Sequence, residues 1–392
     1  MKSVSRNARC YVEISRSVIA ANYRAVRDAV APGRATEAHR LPVLQPPGSS
    51  EPGVIGVVKA DAYGHGAIEV ARVLAREGIE WLAVSSVDEG VALRSAGISQ
   101  RILVMAGVMP WEFEAVREQN LTPVVHSLHE LPRFAEARVP RVHLKLDTGM
   151  DRLGTLAEAS QIAAAIAKTP ELTVEGLLSH FASATDFTSN QTPEQIRLFH
   201  ERATALRSLG VQPSLMHFSS TNAIAYPRPG AWLSLVRPGH AIYGYVSPAR
   251  GPAPPATFQV QPALQWKTHI VAVKDVPSGA RVGYGGSWKA ENPTRLAILA
   301  AGYADGVPHR LSNKGKVIAG GRLAPIVGTV SMDLTTIDIT QSPQLRPGDE
   351  VTLLGTEGDV SLDAQQLAKT AGTISYNILC SISARVRRFY TD

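Results

Sequence analysis

A lysine follows a run of strand-forming residues in the segment "VIGVVKADAYGHG", which occupies positions 54–66. Residues 54–58 are continuously apolar and rich in valine and isoleucine, a pattern typical of a strand buried on both faces. Lys59 therefore lies at the carboxyl end of a predicted strand. Partial burial favours the neutral form of a lysine amine, which is the form that a nucleophile or a Schiff base requires.

Other polar residues with catalytic potential follow later strand-like runs. Lys145 and Arg152 lie in "LKLDTGMDRLG", His180 in "SHFAS", the polar group "SSTN" at 219–222, and Arg237 in "VRPGHAIYG". Taken singly, each also fits a structural role, such as a surface lysine, an ion-pair partner or a core histidine with satisfied hydrogen bonds. Their shared position after strands is the observation that favours a common site.

The elements that must position these residues form a repeated pattern up to about residue 245. Helical segments separate most of eight strand-like runs: "VIGVV", "WLAVSS", "RILVMAG", "TPVVHS", "RVHLKLD", "LTVEGLLSHF", "SLMHFSS" and "WLSLVRPGHAIYG". Eight strands alternating with helices over about 250 residues predict a (β/α)8 TIM-type barrel, with a doubly wound open sheet as the alternative. In such a barrel the polar residues above meet at one end, because catalytic groups lie at the carboxyl ends of the strands.

The remainder of the chain has a different pattern. Closely spaced β runs begin near Ala263, and one short helical segment is predicted at 362–371, so this part is a mostly-β domain. The proline-rich segment "SPARGPAPPATFQVQP" precedes it and marks a domain boundary. The predicted domains are a barrel at 14–246, with an exposed insertion at 31–53, and a mostly-β domain formed by 1–13 and 257–392.

Composition excludes several classes of protein. The 392 residues carry a net charge of +6, but 40 Lys and Arg are nearly matched by 34 Asp and Glu and are dispersed, so we expect no nucleic-acid partner. Cys10 and Cys380 form neither a metal-binding spacing nor a disulfide framework. The amino terminus lacks the apolar core of a signal peptide, and no apolar run reaches the ~18 residues of a membrane span. The expected location is the cytoplasm.

The motifs in this sequence together resemble those of the alanine racemase family. "VVKADAYGHG" is similar to that family's cofactor-lysine signature, and "KLDTGMDRLG", "RPGHAIYG", "VGYGG", "AGYADG", "VGTVSMD" and "ISYNI" follow in the family's order. The resemblance covers nearly the whole chain. It implies a pyridoxal 5′-phosphate (PLP) barrel with a β domain, assembled as a head-to-tail homodimer. The implied function is interconversion of L-alanine and D-alanine by two-base proton transfer, which supplies D-alanine for peptidoglycan.

The resemblance also assigns roles around the cofactor. Lys59 would bind PLP covalently, Arg152 would contact its phenolic oxygen and the substrate, and Arg237 would face the pyridine nitrogen. A guanidinium only donates hydrogen bonds, so Arg237 would leave that nitrogen unprotonated and suppress side reactions such as transamination. The residues assigned to the phosphate are Tyr63, Thr221, Gly239, His240 and Tyr376.

Racemisation requires a proton to leave one face of the substrate and return to the other. The resemblance gives one face to Lys59 and the other to Tyr284, donated across the dimer interface. A tyrosine with a pKa near 10 is a weak base at neutral pH, so a hydrogen-bond chain from Tyr284 through His180 to Arg237 is expected to stabilise its phenolate. On sequence grounds alone, Tyr284 also fits an aromatic strand residue.

Further roles concern the substrate and one modification. Tyr303 would line the path of the substrate, and Met332 and Asp333 would receive its carboxylate. Lys145 matches a position that is often carbamylated in the family. Asp151 stands where the family has a glycine, which raises the question of a positive φ at this position.

Three other functions share some of these features. A serine racemase or one of broader specificity would use the same machinery, because one methylene or hydroxyl changes discrimination by only ~1–3 kcal/mol. A barrel decarboxylase would be expected to place an acid opposite the pyridine nitrogen, where this chain has Arg237. A non-catalytic PLP-binding protein would lack the β domain and therefore Tyr284. These contrasts favour the racemase, without metal or membrane partner.

Overall fold

The computed structural model describes residues 8–31 and 52–392. Most of the predicted insertion at 31–53 therefore lies outside the described residues. The described chain divides into two compact units. The barrel unit comprises Ile19–Ala62 and Ala67–Gln261, and the second unit comprises the described part of Met1–Val18 together with Tyr63–Gly66 and Pro262–Asp392.

The barrel unit contains a closed barrel of eight parallel strands, which confirms the predicted TIM-type barrel and excludes the open sheet. Most strand residues are buried, as expected for short apolar strands covered by helices on the outside. The strands are β2 (Gly53–Val57), β3 (Trp81–Val84), β4 (Arg101–Val104), β5 (Thr122–Val125), β6 (Arg141–Lys145), β7 (Thr173–Leu178), β8 (Leu215–Ser220) and β9 (Leu235–Arg237).

Helices separate the barrel strands, and α4 (Val87–Ser95) illustrates how the sequence sets their boundaries. Ser86 and Glu89 form a capping box at the start of α4, which satisfies backbone N–H groups that have no partner within the helix. The helices are α1 (Arg16–Val30), α2 (Lys59–Tyr63), α3 (Ala67–Arg76), α4 (Val87–Ser95), α5 (Phe113–Glu118), α6 (Leu131–Glu136), α7 (Ala159–Ala167), α8 (Gln191–Ser208) and α9 (Thr221–Ala225).

The second unit is mostly β, as predicted. Its largest sheet has the strand order β15-β14-β17-β10-β1-β19, with β13, β16 and β18 paired beside this path, and β11 pairs with β12. The strands are β1 (Cys10–Ser15), β10 (Leu264–Val276), β11 (Arg281–Val282), β12 (Trp288–Lys289), β13 (Thr294–Leu299), β14 (Lys316–Ile318), β15 (Leu323–Pro325), β16 (Thr335–Asp338), β17 (Glu350–Glu357), β18 (Val360–Leu362) and β19 (Arg387–Thr391).

The helices of the second unit correct one prediction. The single predicted helical segment corresponds to α10 (Ala364–Ala371), but the structure contains a further helix, α11 (Ser375–Ser381). The sequence of α11, "SYNILCS", is short and lacks strong helix formers other than leucine. Burial of Ile378 and Leu379 accompanies the helix, so tertiary packing and not intrinsic propensity accounts for it.

None of the helices in residues 8–31 and 52–392 combines the length and hydropathy that crossing a membrane requires. Within the same ranges, histidines, cysteines and carboxylates do not gather in groups of three or more suited to a metal ion.

Candidate active site

Lys59 begins a turn with an uncommon backbone conformation. It follows β2 and opens α2, in which Ala60, Asp61 and Ala62 have φ of 52–54° and ψ of 45–51°. Tyr63 has φ 54° as well. Left-handed helical geometry costs roughly 1–2 kcal/mol per non-glycine residue, and such strain persists where neighbouring contacts impose it, often at functional sites.

Carboxylates hold this turn in place. Glu89 accepts a hydrogen bond from the backbone N–H of Ala60 at 2.6 Å and, through its other oxygen, from that of Ser85 at 2.6 Å. Asp61 accepts from the N–H of Ala67 at 2.8 Å, which joins the turn to the start of α3. The loop that carries Lys59 is therefore fixed at both ends.

Arg237, the last residue of β9, is buried inside the barrel with 4% of its surface exposed. Its guanidinium donates to the carbonyls of Ser179 at 2.7 Å and Phe218 at 3.0 Å. It also lies 2.6 Å from His217 Nδ1 and 3.2 Å from His180 Nδ1. Burial lowers the pKa of Arg237 to about 9, which still leaves the guanidinium charged at neutral pH.

His180 lies among four basic side chains at the carboxyl end of the barrel strands. Its pKa is well below the ordinary value, first because of burial and then because of the charges of Arg237, Lys145, Arg152 and Lys59. Since a guanidinium only donates, His180 Nδ1 accepts from Arg237, and the proton of the neutral ring lies on Nε2. This end of the barrel therefore combines a neutral histidine with a concentration of positive charge.

Lys145, the last residue of β6, is 6% exposed. Its pKa is lowered to about 8, first by burial and then by the charges of Arg152 and Arg237, against an opposing effect of Asp147. A lysine in this state has more neutral amine at neutral pH than an exposed lysine does.

The loop after β6 answers the question raised by Asp151. Asp147 Oδ1 accepts hydrogen bonds from the N–H groups of Gly149, Met150 and Asp151, at 3.0, 3.0 and 3.3 Å. Asp151 does have a positive φ, 52°. Aspartate tolerates this conformation better than most residues, and the exposed Arg152 follows it directly.

The loops after β8 and β9 meet at Thr221. This buried threonine begins α9, and its hydroxyl oxygen accepts from the N–H groups of Gly239 at 3.1 Å and Ala241 at 3.2 Å. His240, between them, is also buried. The predicted phosphate residues of the barrel unit are thus together, at the strand ends where barrels commonly bind phosphate.

The other two predicted phosphate residues meet in the second unit. The ring centroids of Tyr63 and Tyr376 are 5.8 Å apart, and burial raises the pKa of Tyr63 above the usual tyrosine value. Gly64, with φ +79°, makes this arrangement possible, because a Cβ there would lie 2.4 Å from the carbonyl oxygen of Leu379 on α11. Arg388 Nε donates to the Gly64 carbonyl at 3.1 Å and further fixes this segment.

The remaining predicted residues surround one cleft of the second unit, with a volume of about 510 Å³. Its lining includes Tyr284, Tyr303, Met332 and Asp333. Tyr284 lies in a 3₁₀ turn, not a strand, and is 76% exposed. Arg385 bridges Asp333 at 2.8 Å and the buried Asp305 at 2.9 Å.

Two residues that contribute to this site were not identified from the sequence. The Ser86-x-x-Glu89 spacing is a recognisable capping signal, but it gives no indication that Glu89 also binds the lysine turn. His217 lies inside the strand "SLMHFSS", where a single histidine fits a core residue equally well. Only the approach of Arg237 distinguishes it.

The chemistry of the barrel end fits the predicted cofactor. Arg237, Lys145, Arg152 and Lys59 are the charges that act on His180, and PLP carries an anionic phosphate and a phenolic oxygen. Thr221 and the N–H groups beside it form a small hydroxyl and amide cluster of the kind that binds phosphate. Lys59 supplies the amine that a covalent link to an aldehyde requires.

The chain is similar to known proteins over most of its length. The family models described as "Alanine racemase, N-terminal domain" and "Alanine racemase, C-terminal domain" match residues 38–248 and 263–390. The chain is 41% identical over 370 residues to an alanine racemase of Sorangium cellulosum, covering 90% of this chain and 96% of the relative.

Solved structures give the same result for the fold. An alanine racemase of D-cycloserine-producing Streptomyces lavendulae superposes with a TM-score of 0.86 at 30% identity, covering 98% of this chain and 97% of that chain. An alanine racemase of Bartonella henselae, solved with covalently bound pyridoxal phosphate, has a TM-score of 0.83 at 26% identity and covers 98% of this chain and 100% of its own.

Proposed function

This chain belongs to the alanine racemase family and interconverts L-alanine and D-alanine with PLP, and on that premise we propose which residues carry the reaction. One observation carries the proposal: Arg237, Lys145, Arg152 and Lys59 all act on one neutral histidine, His180, at the carboxyl end of the barrel strands. This is the expected environment for an anionic cofactor that works beside a basic lysine.

Several of the residues described above would hold the cofactor. Lys59 binds it covalently, while Thr221, the adjoining N–H groups of the Gly239–Ala241 turn, His240, Tyr63 and Tyr376 hold the phosphate. Arg152 contacts the phenolic oxygen and the substrate. When bound, PLP acidifies the α-hydrogen of an amino acid by accepting the electron pair that the departing proton leaves behind.

Arg237 faces the pyridine nitrogen and controls the outcome of the reaction. Its guanidinium keeps its charge in the barrel and has no proton-accepting atom. It would therefore donate to the ring nitrogen without protonating it, which would limit delocalisation of charge into the ring and favour return of the proton to the α-carbon. The carbonyls of Ser179 and Phe218 orient the guanidinium.

The protons move between two bases on opposite faces of the substrate. Lys59 exchanges a proton on the face that exposes the α-hydrogen of D-alanine, and Tyr284 of the partner subunit acts on the other. His180 carries its proton on Nε2, because Nδ1 accepts from Arg237 at 3.2 Å. We assign to that Nε2–H the stabilisation of the phenolate of the catalytic tyrosine, Tyr284 of the partner subunit.

The cleft of the second unit receives the substrate carboxylate in the partner's active site. Met332 and Asp333 bind the carboxylate, Met332 through its backbone N–H, and Tyr303 lines the path. The exposure of Tyr284, 76%, and of Met332, 54%, supports this assignment, because both large side chains face solvent in the isolated chain. We infer that the assembly is a head-to-tail homodimer, in which each chain supplies Tyr284 to the active site of its partner.

Lys145 is a modification site in this account. Its pKa of about 8 leaves neutral amine available to add carbon dioxide, and the resulting carbamate is an anion that orients Arg152. The modification replaces the repulsion between the positive charges of Lys145 and Arg152 by an attraction between the carbamate and Arg152.

The product is D-alanine for peptidoglycan, made in the cytoplasm. Within the described residues, the buried Cys10 and the exposed Cys380 form no disulfide, which fits a reducing compartment. Alanine is the principal substrate, and a racemase acting on serine as well is the second candidate, because the discrimination available for one hydroxyl is small. Turnover of a panel of L-amino acids separates these two possibilities.

Solvent-deuterium exchange of the α-hydrogen in Tyr284→Phe tests the two-base assignment. The variant keeps the visible absorption band of bound PLP but loses exchange from L-alanine about 10²–10⁴-fold more than exchange from D-alanine, the usual contribution of an acid–base group. NMR of each enantiomer in D₂O measures both rates.

Tyr23→Phe, on α1, serves as the matched control, because it removes a hydroxyl that has no assigned role, and it leaves both rates unchanged. Equal loss for the two enantiomers in a folded, PLP-loaded Tyr284→Phe dimer eliminates Tyr284 as the base for L-alanine.

A further inference from the structure

A line of polar side chains crosses the barrel interior beneath Arg237. Arg237 Nη1 lies 2.6 Å from His217 Nδ1, and His217 Nε2 lies 2.8 Å from Nδ1 of His143. His143 Nε2 is 3.7 Å from a carboxylate oxygen of Glu175, which accepts from Arg101 Nη2 at 2.5 Å. The line joins the carboxyl end of β9 to residues near the amino ends of β7 and β4.

The donor at one end of the line and the acceptor at the other together set the position of every proton along it. A guanidinium only donates, so His217 Nδ1 accepts and its proton lies on Nε2. That proton points to His143 Nδ1, which must also accept, so the proton of His143 lies on Nε2 and faces Glu175. Both imidazoles are thus Nε2–H tautomers, with Arg237 as the donor at one end of the line and Glu175 as the acceptor at the other.

Charge and burial agree with this ordering. His143 and His217 are both 0% exposed, and burial lowers the pKa of each, so both rings are neutral at neutral pH. Burial raises the pKa of Glu175, but His143 and Arg101 lower it to about 2, so the carboxylate is ionised. The only formal negative charge on the line is at the end opposite Arg237.

The barrel provides space for His143 in one orientation. Gly176, its neighbour on β7, has no Cβ, and a Cβ there would lie 2.4 Å from the His143 ring. The Trp81 ring lies 5.3 Å away on another side, and the Arg101 guanidinium is 3.9 Å above Trp81. In the described part of the chain, His143 Nε2 has no partner within hydrogen-bond distance, and Glu175 is the acceptor it faces.

We propose that Glu175 is a positioning residue for Arg237: its carboxylate holds His143 and His217 in the tautomers that leave His217 Nδ1 free to accept from the guanidinium. This inference rests on the proposed contact between Arg237 and the cofactor's ring nitrogen. Without the carboxylate, His143 and His217 can both move their protons to Nδ1. The Nδ1–H of His217 then faces the Nη1–H of Arg237, and two donors cannot form a hydrogen bond with each other. Arg237 loses the acceptor of Nη1 and its fixed position.

The consequence appears in reaction specificity. An undisplaced guanidinium keeps the ring nitrogen unprotonated, and a displaced one allows it to gain a proton, which favours transamination. In that side reaction the amino group of alanine passes to the cofactor, the α-proton ends on the cofactor's carbon, and water supplies the keto oxygen of the pyruvate that is released. The ratio of pyruvate formed to racemisation turnovers reports the position of Arg237, and a merely structural role of Glu175 leaves that ratio unchanged.

The variants to compare are Glu175→Gln, the charge-retaining Glu175→Asp and the control Glu80→Gln. Glu80 is an exposed carboxylate directly before β3, at the same end of the barrel. In the PLP-loaded full chain, Glu175→Gln raises the pyruvate ratio about tenfold, which corresponds to about 1.4 kcal/mol. Glu175→Asp restores most of the specificity, and Glu80→Gln matches the unmodified chain.

Arg237→Gln distinguishes a failure of the positioning role of Glu175 from a failure of the proposed contact between Arg237 and the ring nitrogen. If Arg237→Gln raises the pyruvate ratio and folded Glu175→Gln does not, the positioning role is wrong and the proposed function stands. If Arg237→Gln leaves the ratio unchanged, the proposed contact of Arg237 with the ring nitrogen fails.

A second measurement determines the tautomers in the unsubstituted chain itself, and variants serve only to assign its signals. Imidazole ¹⁵N NMR of the unsubstituted full chain, with His143→Gln and His217→Gln used for assignment, should give both rings as neutral Nε2–H tautomers. An Nδ1–H tautomer or a charged ring at either position overturns the proposal.

Discussion

The end of the barrel and the cleft of the second unit hold their functional residues in opposite ways. Arg237 and Lys145 are 4% and 6% exposed, and the hydrogen bonds of Arg237 end on protein groups. Tyr284 and Met332 are 76% and 54% exposed. The barrel end is therefore organised before any ligand binds, whereas the cleft presents its groups to whatever surface covers it.

The same contrast extends to the backbone. The lysine turn is strained and is held by Glu89 and Asp61. The loop at the cleft is held by ordinary backbone hydrogen bonds, from the N–H groups of Tyr303 to Ser331 and of Ala304 to Met332, at 3.0 and 2.9 Å. Exposed ion pairs such as Arg385 with Asp333 contribute little stability. Strain and burial thus distinguish the part of the molecule to which we assign the cofactor.

Replacing the lysine of the barrel end should have the largest effect. Lys59→Ala removes the covalent link and one base, so racemisation falls at least ~10⁴-fold, and the visible band of covalently bound PLP is lost. Kinetics and absorption spectra measure both effects, with Lys168→Ala, beyond the end of α7, as a control. Borohydride treatment of the unsubstituted chain should label the peptide that contains Lys59, and a label on another lysine contradicts the assignment.

A smaller effect is expected from the carboxylate that holds the strained turn. In Glu89→Gln only one side-chain oxygen remains for the N–H groups of Ala60 and Ser85, so one of the two hydrogen bonds is lost. The free energy of unfolding should fall by about 1–3 kcal/mol. We expect kcat to fall about tenfold as Lys59 loses its fixed position. Thermal unfolding and steady-state kinetics provide the two numbers.

Glu112→Gln is the matched control for that substitution, because Glu112 accepts from the N–H of Met109 in a loop without an assigned role. It should lose stability without losing kcat. Unchanged kcat in Glu89→Gln, despite reduced stability, shows that the strained turn does not require this carboxylate to place the lysine.

The sequence predicted the barrel because its strands are short apolar runs between amphipathic helices, and all eight were identified. The sequence also indicated Arg237 and His180 as candidate site residues, and the structure shows that their side chains are 3.2 Å apart. The left-handed turn at Ala60–Tyr63 was not predicted, because nothing in "ADAY" favours a positive φ. The helix α11, which contains Tyr376, and the line of polar side chains from His217 to Glu175 were not predicted either, since both depend on contacts between residues distant in sequence.

The central claim is that the barrel end of one subunit works with the cleft of another, and mixing two inactive variants tests it most directly. Lys59→Ala and Tyr284→Phe chains are mixed, dissociated and allowed to reassociate, and heterodimers are verified by differently tagged chains. Each heterodimer then has one site with both bases and one with neither, so full exchange should restore about a quarter of the unsubstituted activity. Proven heterodimers that remain as inactive as the two parents would contradict the claim that Tyr284 serves the partner's active site.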